Sequence, residues 1–342
     1  MPPTVVPAIP ALHREVRLAR RGDGELAEDH FTIAEVPVPE PGPGQVLVRT
    51  RLMAVTAAMR TQMAGMRLPM ASFAAGEALW GSAVGEVVAA PGGGFTPGEL
   101  VHHPYGWREF AAVEESRLRR LDPEELPSLA AHLSQGATAW GALRLAAEIR
   151  PGDTVFVTGA AGGVGSLAGQ LARRLGAGRV VGSTGSERKA ARLRAELGYD
   201  DTIVRGAGPI ERQLRRAAPG GVDVLLDTVG GEQLTAALAL ARPDARFALV
   251  GALSSQLGGS GVGGAPVELD TALVITRRVA LRGFGLPAHP DLPQEWTKEF
   301  GQGLREGSLV FPHALLKGIE QAPRALCELT QGRHIGAVLV EL

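Results

Sequence analysis

A chain of 342 residues, 45% of them hydrophobic, can bury a large core and is long for one compact domain, so two domains are expected. Its net charge of −1, with no basic stripe carrying interleaved aromatics, argues against a nucleic-acid partner, and its one cysteine, Cys327, excludes an intrachain disulfide and a thiolate zinc cluster. No apolar run approaches the roughly 20 residues of a membrane helix, and Met1–Ala11 lacks the basic-then-apolar pattern of a signal peptide, so a cytoplasmic protein with no membrane partner is expected.

The first third reads as β-rich. Phe31–Val38, Val46–Val55, Ser82–Ala90 and Phe110–Val113 are apolar or alternating runs, several bounded by Pro/Gly clusters such as Pro37–Gly44 and Pro91–Gly98. The character then changes. Thr154–Thr158 is a continuous apolar strand that runs into glycines and a helix, whose apolar residues Val164, Leu167, Ala168, Leu171 and Leu175 recur with helical spacing. Arg179–Gly182, Asp223–Asp227 and Arg246–Val250 read as further strands, with helices at Glu187–Leu197 and Glu232–Ala241. Alternation of this kind predicts an α/β doubly wound parallel sheet. Gly258–Gly264 reads as a glycine-rich loop, and Ile335–Leu342 as a final strand. A β segment, an α/β insert and a β return predict two interleaved domains.

The strand–loop–helix junction carries Ala160, Gly162 and Gly165 at the spacing of a dinucleotide fingerprint. Small residues there let the backbone approach a pyrophosphate, and the helix N-terminus offers free N–H groups and a positive dipole end. An NAD site would place an acid at the end of the next strand to hold the ribose. This chain has Val181-Gly-Ser-Thr-Gly-Ser186 and then Arg188 and Lys189. Hydroxyls and cations suit the 2′-phosphate of NADP(H).

His102 and His103 are adjacent, so on a strand they face opposite ways, and no third ligand lies near at helix or loop spacing. No metal site is expected. Ser82 sits in Gly-Ser-x-x-Gly rather than the nucleophile elbow Gly-x-Ser-x-Gly, so a hydrolase reading fails at the motif.

Motifs along nearly the whole chain resemble the leukotriene B4 dehydrogenase/prostaglandin reductase group of zinc-independent medium-chain dehydrogenases/reductases. Met53–Arg60 resembles its L-S-V-D-P-Y-M-R, and Gly98–Phe110 its G-D-x-V…G-W-x-E-Y. Thr138-Ala-Trp140 resembles T-A-Y, Ala160–Gly165 resembles A-A-G-A-V-G, and Gly185–Lys189 resembles G-S-x-x-K. Asp227–Gly231, Gly283-Phe284 and Gly332–Gly336 resemble D-N-V-G-G, G-F and G-x-N-I-G.

The resemblance implies a Rossmann domain (129–304) inserted into a GroES-like β-barrel domain (1–128 and 305–342). It implies NADPH, no zinc, and reduction of the C=C of an α,β-unsaturated carbonyl compound, by a homodimer. It puts Ser186, Lys189 and Arg205 at the 2′-phosphate, Arg205 replacing a family tyrosine. It puts Gly163, Val164 and Gly185 with the phosphate-binding loops, and Thr138, Val229, Gly251, Phe284 and His334 elsewhere against the cofactor. Two family tyrosines are absent: one position is Ala58, and the other falls in Gly251–Leu257. His334 replaces a family asparagine. Tyr105, on a segment resembling a cleft-lining stretch, is then the candidate proton donor. A zinc-independent quinone or ketone reductase is the same-class alternative, and a non-catalytic NADP-binding sensor or scaffold the different-class one.

Overall fold

The computed structural model describes residues 9–21, 24–64, 71–253 and 266–342. The glycine-rich stretch Gly258–Gly264 lies outside them. The chain divides into two units: residues 1–133, 314–333 and 338–342 form the first, and residues 134–313 and 334–337 the second.

The first unit is mostly β. Strand β1 (Leu12–Leu18) pairs antiparallel with β2 (Phe31–Pro37). The long β3 (Gln45–Val55) carries β4 (Ala83–Ala89) and β6 (Phe110–Glu114), with β5 (Leu100–His103) on β4 and the short β7 (Arg119–Arg120) on β5. Helix α1 (Ala58–Ala64) follows β3. Strand β1 escapes a hydrophobicity reading because it carries His13, Arg14, Glu15 and Arg17. Its charges are nonetheless paired: Arg17 with Glu15 at 2.8 Å, and Arg14 with Glu109 at 2.7 Å. Val16 and Leu18 point into a core with Met53, Val55, Trp107 and Val338.

Among the described residues the second unit holds six parallel strands: β8 (Thr154–Val157), β9 (Arg179–Thr184), β10 (Asp201–Val204), β11 (Val222–Asp227), β12 (Ala241–Leu249) and β13 (Ala280–Gly283), in the order β10-β9-β8-β11-β12-β13. That is the dinucleotide-binding order, and it reverses between β8 and β11. Ligands sit beyond the carboxyl ends of the strands at such a switch. The helices are α2 (Gly136–Gly141), α3 (Gly165–Arg174), α4 (Glu187–Glu196), α5 (Ile210–Ala217), α6 (Glu232–Ala239), α7 (Thr271–Arg277) and α8 (Leu292–Arg305). Phe156, Val181, Leu225 and Phe247 of the sheet pack with Leu214 and Leu234 of α5 and α6. β12 begins at Ala241, where the sequence reads as helix, and its left-handed Asp244 accompanies an irregular register against β11. The chain returns to the first unit through β14 (His313–Lys317), α9 (Ala322–Thr330) and β15 (Ala337–Glu341), which pairs with β3. Among the described residues no helix is long and apolar enough to cross a membrane.

β5 carries an unusual buried load. His103 is fully buried, and neither ring nitrogen has a hydrogen-bond partner. Burial, with His102 and Arg108 adding, pushes it down to about 3. Burial also brings His102 and His132 down to about 4, with the Arg119 guanidinium adding to each. In the unfolded chain all three bind protons near their ordinary 6.5. The unfolded state therefore holds more protons from pH 6.5 down, so stability falls as pH drops through that window. His103→Phe is expected to remove about one proton from this linkage. Chemical denaturation between pH 4 and 6.5 should show the slope of stability against pH reduced by roughly 1.4 kcal/mol per pH unit.

Candidate cofactor site

The expected phosphate-binding loop joins β8 to α3. Gly165 opens the helix against the loop itself: a Cβ there would lie 2.4 Å from the Gly159 carbonyl oxygen, so only glycine lets the helix start so close. The Ser166 and Leu167 amides of its first turn donate to the Gly162 and Val164 carbonyls, at 2.9 and 3.2 Å, and the positive end of the helix dipole faces the loop. Tyr199 is buried and donates its hydroxyl to the Gly165 carbonyl at 2.6 Å, a structural role that fixes α3.

A buried carboxylate braces the loop from the next strand over. Asp227, at the end of β11, accepts from Thr158 Oγ1 at 2.6 Å and from the amides of Val229 and Gly230 at 3.0 and 2.9 Å. Thr158 Oγ1 accepts in turn from the Thr228 amide, and Thr228 Oγ1 donates to the Thr158 carbonyl. The Asp227 carbonyl takes the amides of Val250 and Gly251. Thr158, Val229 and Gly251 thus belong to one hydrogen-bonded frame at the switch point.

The third part lies after β9. Ser186 caps α4, its Oγ accepting from the Lys189 amide at 3.4 Å. Lys189 is buried, and its Nζ donates to the His334 carbonyl at 2.6 Å. The structure uses the backbone of residue 334 here. Glycine 336 then bridges Gly162 and donates to the Ala161 carbonyl at 2.9 Å, which sets this segment beside the loop. Arg205 reaches Gly185: a Cβ on that glycine would meet its guanidinium at 3.3 Å. Burial, with the Arg188 and Arg205 guanidinium groups adding, lowers Lys189 to about 8. Three neighbouring cations that repel one another fit a phosphate dianion. The small-residue loop and this cation cluster together fit NADPH.

The remaining expected positions are mixed. Thr138 lies on α2, half-buried. Phe284 is buried, stacks on His289 at 5.1 Å, and closes on Gly141, where a Cβ would be 2.4 Å from its ring. Tyr105 has its hydroxyl engaged on the first unit: it accepts from Arg117 at 2.8 Å and donates to Glu114 at 3.3 Å. Arg108 and Arg117 flank its ring at 5.8 and 5.7 Å. The hydroxyl proton is therefore directed at a carboxylate. Tyr105→Phe is expected to leave kcat within about twofold, under roughly 0.4 kcal/mol on the barrier. A fall of tenfold or more in steady-state kcat would restore Tyr105 as the donor.

His102 accepts or donates a 2.6 Å hydrogen bond with Ser82, while His103 faces the other way. Among the described residues no three His, Cys, Asp or Glu side chains are grouped to hold a metal ion. Gln135, which no motif singles out, is the residue the sequence conceals: its side chain lies against Gly163, 28 positions away.

Two family models match the chain: "N-terminal domain of oxidoreductase" over residues 14–121 and "Zinc-binding dehydrogenase" over residues 163–300. The chain is 35% identical over 337 residues to a protein of Bacillus subtilis (strain 168) named as an NADP-dependent oxidoreductase, YfmJ, covering 97% of this chain and 98% of that one. The chain belongs to the zinc-independent medium-chain dehydrogenases/reductases. Within that family it is 29% identical to the NADP+-dependent 2-alkenal reductase of Nicotiana tabacum, over 90% of this chain and 89% of the relative. The chain also superposes on CurA from Vibrio vulnificus solved with NADPH, with a TM-score of 0.88 and 27% identity over 96% and 98% of the two chains. It is an NADPH-dependent oxidoreductase whose fold is the Rossmann and GroES-like pair that its motifs imply.

Proposed function

We propose that this reductase saturates the C=C of an α,β-unsaturated ketone or aldehyde. The observation that carries the reading is full-length likeness to a reductase named for 2-alkenals, which are conjugated carbonyl compounds. NADPH, when bound, supplies a hydride. The chain's own residues do the rest. The loop 159–165 and the first turn of α3 bind the pyrophosphate, and the Asp227 frame holds that loop in shape. Ser186, Lys189 and Arg205 hold the 2′-phosphate, and Lys189 also ties α4 to residue 334. Val229, Gly251, Thr138 and Phe284 complete the walls on this reading. With Tyr105 engaged by Glu114, the proton for the substrate α-carbon comes from water or the ribose hydroxyl rather than from a tyrosine.

A panel of 2-alkenals, cyclic enones and quinones, each with NADPH, tests the reading, with products identified by NMR. A saturated carbonyl product supports it. An allylic alcohol, or turnover confined to quinones, overturns it in favour of a carbonyl or quinone reductase. A homodimer is part of the same reading and is checked by sedimentation.

A further inference from the structure

The glycine loop has a neighbour that none of its motifs includes. A Cβ built on Gly163 would lie 2.0 Å from Gln135 Oε1 and 2.7 Å from its Cδ. The carboxamide therefore occupies the space beside the Gly163 backbone. The motif that this loop resembles, A-A-G-A-V-G, has alanine where this chain has Gly163. Here the methyl is missing and the end of a glutamine fills its place.

Gln135 is not placed there by a loose side chain alone. It directly precedes α2, and Trp296 of α8 contacts the residue on either side of it, the Ser134 hydroxyl and Gly136. Trp296 Nε1 donates to Ser134 Oγ at 2.8 Å. A Cβ on Gly136 would lie 2.0 Å from the Trp296 ring, so the indole presses directly on that residue's backbone. Trp296 itself is buried and stacks on Phe300 at 4.5 Å. Residue 135 thus sits between two neighbours that one buried indole holds, and its half-buried carboxamide lies at the phosphate-binding loop. Preorganisation of this kind is what makes a single neutral donor useful to binding.

We infer that Gln135 is a further cofactor-binding residue, whose carboxamide N–H donates to the phosphate oxygens that the loop holds, and that Gly163 is glycine to admit it. The inference rests on NADPH binding at this loop. Pyrophosphate is common to NADPH and NADH, so the contact strengthens both alike.

The test is dissociation constants for NADPH and NADH by fluorescence titration, without substrate. Gln135→Ala should weaken both about tenfold. Lys189→Ala should weaken NADPH selectively, and this arm independently reports that the dinucleotide sits where the loop reading places it. Gly163→Ala should weaken both, because its methyl meets the carboxamide. Gln135→Ala in the Gly163→Ala background should cost much less than tenfold more. Gln135→Glu keeps the shape but sets a carboxylate at the phosphates, and should weaken binding more than alanine does. If Gln135→Ala lowers Tm yet leaves both constants within twofold, the glutamine is only packing and the inference is overturned. The same holds if Gln135→Glu binds as wild type does. If Gln135→Ala fails to fold, Gln135→Glu decides alone.

Discussion

Lys189→Ala should weaken NADPH by about 1–3 kcal/mol, roughly 5- to 150-fold, and leave NADH nearly unchanged. The lysine stands on α4 beside Arg188 and Arg205, and its ammonium is buried against the His334 carbonyl. A 2′-phosphate brings the negative charge that the cluster needs, whereas the hydroxyl of NADH does not. Isothermal titration with both cofactors reads the difference directly, and equal losses would show that Lys189 does not read the phosphate. The pH dependence follows with a definite sign. In the free enzyme Lys189 titrates near 8, because burial and two guanidinium groups disfavour its charge. On the proposed reading it is charged below that pH and binds the dianion. As pH rises through 8 the charge is lost, so the preference for NADPH over NADH should narrow between pH 7.5 and 9. Lys189→Arg, which stays charged, should flatten that profile.

Asp227→Ala should cost stability and cofactor together. It removes the acceptor of the Thr158 hydroxyl and of two amides, at Val229 and Gly230, in a buried place. Each buried donor left without a partner costs about 1–3 kcal/mol, and partial rerouting brings the total to roughly 3 kcal/mol. For a unit of this size that lowers Tm by about 6–12 °C. NADPH affinity should fall as well, since the loops after β8 and β11 lose their common brace. Asp227→Asn keeps the shape and one acceptor oxygen, and should give a smaller loss. Differential scanning calorimetry with and without NADPH measures both effects. An alanine variant with wild-type Tm would show that the frame is held by other bonds.

What could be read from sequence follows the range of the interactions involved. The β8–α3 junction was legible because its strand, glycines and helix are contiguous, and the NADP(H) preference because Ser186 and Lys189 lie within four residues. The zinc-independent family, the fold and the cofactor followed from ordered local motifs. Contacts between distant residues were not legible. Lys189 meets the carbonyl of residue 334, Gln135 meets Gly163, and Trp296 holds Ser134 across 162 positions. For Tyr105, the family resemblance offered a cleft-lining stretch and gave no sign that Arg117 and Glu114 engage its hydroxyl. Helix α8 was hidden because Gly301 and Gly303 interrupt its pattern, while its Trp296 and Phe300 are buried.

The bridge between Gly162 and Gly336 gives the protein a timetable. A ribosome makes the phosphate-binding loop long before residue 336, and domains tend to fold in the order they emerge. The loop must therefore wait until residues 334 to 336 have been made to meet the Lys189 ammonium and the Ala161 carbonyl. A chain stopped short of residue 334 would lack the segment that meets the loop and, on the proposed reading, should hold the dinucleotide poorly.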